Sequence, residues 1–65
     1  MTDGATYRQR ARTFEQRENW KRAIEEYENA VQADKRARRE VDLAMYNRIG
    51  DLYRRVGDKI GRAYV

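Results

Sequence analysis

The chain contains no cysteine, histidine, proline or serine. Without cysteine there is no disulfide framework, and without Cys and His the usual zinc-binding spacings cannot be assembled. The same gaps remove the commonest nucleophiles and the commonest general base. No pair of carboxylates is convincingly set for acid–base work either, so the sequence predicts a non-enzyme with no cofactor and no metal. The lack of proline acts on the backbone: with glycine only at 4, 50, 57 and 61, almost the whole chain can be helical. The longest apolar run, residues 43–46, falls far short of the ~20 residues a membrane helix needs. The polar start Thr2-Asp3-Gly4 shows no secretory leader, and a cytoplasmic setting is expected.

What is present is charge. Of 65 residues, 40% are charged and 40% hydrophobic, with a net charge of +4. This length allows one domain, residues 1–65, with one small core. Arginine outnumbers lysine 12 to 3, and its planar fork is the better partner for carboxylate or phosphate. The basic balance makes acidic protein segments or nucleic acid plausible partners and does not choose between them.

Apolar periodicity predicts three helices. Asp3 is a suitable N-cap for a first helix over about 5–17, with Tyr7, Ala11 and Phe14 on one face. Asn19 can cap a second, whose apolar positions 20, 23, 24, 27, 30 and 31 all fit one stripe. The stripe fades over 32–40. A third helix carries Tyr46, Ile49, Leu52, Tyr53 and Val56; Gly57 suits the left-handed residue after its end, and Asp58 would cap a further helix beyond it. The expected core is Tyr7, Phe14, Trp20, Ala23, Ile24, Tyr27, Val31, Tyr46, Ile49, Leu52, Tyr53 and Val56.

Tyr46, Gly50 and Tyr53 repeat Tyr7, Ala11 and Phe14 at a constant offset of 39 residues. Tyr46-x-x-Ile49-Gly50-x-x-Tyr53-x-x-x-Gly57-Asp58 resembles the first half of a tetratricopeptide repeat (TPR) unit. Phe14 with Asn19-Trp20-x-x-Ala23-Ile24-x-x-Tyr27-x-x-Ala30 after it resembles the second half. The chain departs from that pattern in having Arg10-Ala11 for Leu-Gly, Glu18 for the turn glycine and no terminal proline. Its offset also exceeds the usual ~34 residues, as a longer second helix would require. The resemblance implies an all-α fold: an antiparallel helical hairpin over about 4–41 and a third helix beginning an incomplete second hairpin over about 42–65, a fragment of a TPR-like α-solenoid. It also implies that Gly50 admits a close helix neighbour. A second architecture stays open, in which helices two and three fuse into one rod that pairs with another copy.

By the same resemblance, ligands lie on the concave surface lined by the first helix of each hairpin. This places Arg8 and Arg12, with Asn47, Asp51 and Arg54, as candidate contacts for an acidic peptide. Lys35, Arg36, Arg38 and Arg39 form the densest basic cluster. Phosphate contact is one reading; complementing a helix C-terminus and forming i,i+4 pairs is the simpler one. Glu25, Glu26 and Glu28 read as a solvated face. The sequence therefore predicts a protein–protein interaction module, with a basic nucleic-acid-associated protein or a self-assembling helical element as alternatives. An apolar edge of Leu52, Val56 and Ile60 would favour self-association or docking into a larger assembly.

Overall fold

The computed structural model describes the backbone of residues 3–64 and the side chains of residues 3–57. Three helices pack together: α1 (Gly4–Gln16), α2 (Trp20–Arg36) and α3 (Leu43–Tyr64). The fold is all-α, with no strand among the described residues. α3 begins 39 residues after α1, from Gly4 to Leu43, so the sequence offset is also the offset between helix starts.

Each helix starts on a side chain that satisfies free N–H groups. Asp3 is extended (φ −95°, ψ 173°) and accepts the Thr6 backbone N–H at 2.9 Å and the Thr6 hydroxyl at 3.0 Å. These bonds, the backbone one first, hold the Asp3 carboxyl below its ordinary pKa. Asn19 accepts the Arg22 N–H. Asp42 takes the Ala44 N–H on its side chain and the Met45 N–H on its carbonyl.

α1 and α2 end in the same way. At α1 the Asn19 N–H reaches the Phe14 carbonyl and the Glu18 N–H the Glu15 carbonyl, both at 2.9 Å. At α2 the Arg39 N–H reaches Asp34 at 2.9 Å and the Arg38 N–H reaches Lys35 at 3.1 Å. These are paired Schellman bonds, which need one left-handed residue past the helix end. Glycine usually takes that place; here Glu18 (φ 59°) and Arg38 (φ 57°) do.

Gly57 behaves oppositely to the expectation. It is 39 residues after Glu18, yet its φ is not positive and α3 continues past it to Tyr64. Glycine permits a left-handed turn without compelling one. Turning at Glu18 lets the stripe Trp20, Ala23, Ile24 and Tyr27 pack on Ala11 and Phe14 of α1, and that packing offsets the left-handed strain there.

α2 lies antiparallel to both neighbours. Gly4 sits against Asp34 and Arg22 over Phe14, while Arg55 covers Trp20 and Tyr53 bonds Glu28. The continuous rod is excluded, because the chain reverses between Ala37 and Asp42. The core is Ala11, Ala23, Ile24, Tyr27, Ala30, Val31, Met45 and Leu52. Tyr7, Phe14, Trp20, Val41, Ile49 and Val56 pack on it partly buried.

Three further sequence expectations change. Tyr46 and Tyr53 are not core residues but are 45% and 54% exposed, because Met45, Ile49, Leu52 and Val56 form the inner stripe of α3. Leu52 is fully buried and Val56 half-buried, so they form no open edge; the Ile60 side chain lies outside the described residues. A β-carbon on Gly50 would meet nothing within 4 Å, whereas the close helix approach occurs at Gly4.

Candidate functional site

The flank of α3 next to its inner stripe faces α1, and a groove of about 440 Å³ runs between them over α2. Arg8, Arg12 and Glu15 line it from α1, Tyr27 from its floor, and Asp42, Ala44, Met45 and Arg48 from the α3 side. The spacing of 44 and 48 is one helical turn, which stacks both on the same flank.

Glu15 ties the three helices together. Its Oε2 accepts the Tyr27 hydroxyl at 2.8 Å, and Arg48 Nη2 forms an ion pair with Oε1 at 2.5 Å. Oε1 makes no aligned hydrogen bond, so its partner is the guanidinium charge. The Glu15 side chain is only 10% exposed. Burial and then the bond to Glu15 push the Tyr27 hydroxyl above its ordinary pKa. For Arg48, burial opposes the charge, but the Glu15 carboxylate outweighs it and holds the guanidinium above its usual value.

Arg8 reaches the other end of the groove. Its Nη1 pairs with Asp34 Oδ2 at 3.2 Å and lies 3.9 Å from Met45 Sδ. Asp34 is nearly buried, so this ion pair also supplies the charge partner that a desolvated carboxylate requires.

The arginine excess acquires a structural account here. Arg10, Arg22 and Arg55 lie over the rings of Tyr7, Phe14 and Trp20, where guanidinium planes cover aromatic faces that the small core leaves open. Arg8 and Arg48 hold buried carboxylates. Arg12 has neither role: it is exposed on the groove wall and makes no ion pair among the described residues.

The structure brings Arg8 and Arg12 into one groove but does not bring Asn47, Asp51 and Arg54 there; all three are exposed and none lines it. Arg48 is the groove residue that the sequence pattern did not single out. Its signal was the inner stripe at 45, 49, 52 and 56, which turns α3 by about one residue from a stripe centred on Tyr46 and Tyr53 and so brings 44 and 48 toward α1.

Among the basic cluster, Lys35 and Arg36 occupy the last turn of α2 and Arg38 is its left-handed terminator. Arg36 and Arg39 line a second groove of about 380 Å³ with Asp3, Tyr7 and Asp34. Of the three glutamates read as solvated, Glu25 and Glu28 are exposed. Glu26 is buried, and its Oε2 has no hydrogen-bond partner.

Fold and groove together define a small antiparallel three-helix protein with arginines gathered between its outer helices. Among the described residues no helix is long and apolar enough to cross a membrane, and no acidic cluster is arranged to hold a metal ion. No family model, no curated protein and no solved structure matches the chain.

Proposed function

We propose that the chain is a TPR-like protein–protein interaction module that takes an acidic peptide into the groove between α1 and α3, without catalysis. The observation carrying this reading is Arg12, an exposed guanidinium on the groove wall whose neighbours Arg8 and Arg48 are already paired. An incoming carboxylate meets a free bidentate donor there, in a field of three arginines against Glu15 and Asp42. The equal offset of helix starts and sequence pattern supports the TPR-like part of the reading. Work in the cytoplasm suits a chain whose fold uses no disulfide.

A direct test titrates the protein with a fluorescent peptide bearing an acidic C-terminal end, carboxylate free or amidated. Binding that weakens roughly tenfold in Arg12→Ala, about 1.4 kcal/mol, and is unchanged in Arg54→Ala supports the groove. Equal binding by Arg12→Ala and wild type overturns it. Tighter capture of duplex DNA, with a steep loss on adding salt, would transfer the reading to nucleic acid.

A further inference from the structure

α3 carries a second stripe that the described residues leave largely open. Leu43, Tyr46, Gly50, Tyr53 and Gly57 are spaced 3, 4, 3, 4, the a/d spacing of a coiled-coil seam. Leu43 is 74% exposed, and Tyr46 and Tyr53 are about half exposed. A β-carbon on Gly50 or Gly57 would meet nothing within 4 Å. The Tyr53 hydroxyl donates to Glu28 Oε1 at 2.7 Å, which fixes the ring's direction while its face stays open. Over 43–57 the stripe is roughly 21 Å long at ~1.5 Å per residue. In sequence the same spacing runs on through Ile60 and Tyr64.

The pattern is complementary to itself in one arrangement. If two α3 helices lie antiparallel so that facing residue numbers sum to 103, Tyr46 faces Gly57 of the second copy and Tyr53 faces its Gly50. The two-fold axis makes both contacts occur twice, as an isologous interface requires. Each ring then fills the space left by a missing side chain, and the helices can approach closely. Parallel pairing in register would set tyrosine on tyrosine and glycine on glycine. The antiparallel register also sets Arg54 beside Asp51 of the second copy, two residues or about 3 Å along the axis. The same register sets the two copies of Asp51 one residue apart along the axis, about 1.5 Å, and the two Arg54 side chains beside them offset that like-charge pair.

We infer that this face of α3 pairs with the same face of a second copy, antiparallel, with Tyr46 and Tyr53 seated on the partner's Gly57 and Gly50. The inference goes beyond the groove reading and does not rest on it: the stripe is on another side of α3, and either can fail alone.

Sedimentation equilibrium from micromolar to millimolar concentration tests it. Wild type should pass from monomer to dimer. Gly50→Leu fills the seat of the partner's Tyr53 and should weaken the dimer roughly tenfold or more. In the dilute monomer the same change should leave helicity intact, because its side chain has open space. Gln9→Leu adds the same side chain to an exposed site on α1 and should leave the dimer unchanged. Should Gly50→Leu lose helicity when dilute, Tyr46→Glu carries the test, and a dimer as tight as wild type overturns the inference. A wild type monomeric throughout overturns it, as does Gly50→Leu dimerising normally. In a mixed isotope-labelled sample, contacts from the Tyr53 ring to Gly50 of the other copy support the register. Contacts from Tyr53 to Tyr53 in their place overturn it.

Discussion

Asp34 of α2 stands where a β-carbon on Gly4 of α1 would have to go, its Oδ1 2.5 Å and its Cγ 3.2 Å from that point. The carboxylate has little freedom to move, being 7% exposed and paired with Arg8. Gly4→Ala should therefore destabilise by roughly 1–2 kcal/mol, against alanine's better helix propensity. In an Asp34→Ala background the loss should vanish or reverse, and a double-mutant cycle by urea denaturation reads the difference.

The Tyr27–Glu15 bond makes stability fall on the alkaline side. The folded-state pKa of Tyr27 is raised above 10.0 by burial and by donation to Glu15. The folded protein thus holds that proton more tightly than the unfolded chain. Its contribution is complete below the ordinary value and is lost as pH climbs through the raised one. Tyr27→Phe should cost about 1 kcal/mol near neutrality and flatten the decline at alkaline pH, as thermal melts across that range would show. Tyr53→Phe should change the profile far less, since its pKa is raised by the Glu28 bond at an exposed site.

Glu18 and Arg38 hold left-handed backbone that costs an L-residue with a side chain roughly 1–2 kcal/mol. Replacing either by glycine keeps both Schellman bonds and relieves that strain, partly offset by the greater entropy of the unfolded chain. Glu18→Gly and Arg38→Gly should each raise stability by about 0.5–1 kcal/mol. The double variant should be additive, as the sites share no partner. Denaturant midpoints check both statements.

The two stripes of α3 separate by mutation. Leu52 is fully buried, so Leu52→Ala should cost roughly 2–5 kcal/mol, most of the stability of so small a domain. Tyr46→Ala, measured dilute, should cost less than about 1 kcal/mol. Comparable losses would mean that α3 is rotated relative to the structure described.

The sequence by itself determined the helices and much of their order. The caps at Asp3 and Asn19 are local, since each side chain bonds an N–H three residues ahead in its own chain. The stripe of α2 is one-sided, with no competing apolar face, so its core residues could be read directly. For α3 two stripes fit helical spacing equally, Met45-Ile49-Leu52-Val56 and Tyr46-Gly50-Tyr53-Gly57, and periodicity cannot rank them. Packing against α2 decided, turning the aliphatic stripe inward and leaving the tyrosines outside; Arg48 and the groove result from that rotation. Tertiary structure also decided that the chain turns at Glu18, because reversing there packs the α2 stripe on Ala11 and Phe14 of α1; at Gly57 the backbone stays helical. The burial of Glu26 and the contact of Gly4 with Asp34 arise in the same way. The Gly4 contact depends on how closely α1 approaches α2, where Ala11, Ala23 and Ala30 are fully buried, and no one of them fixes that distance in sequence.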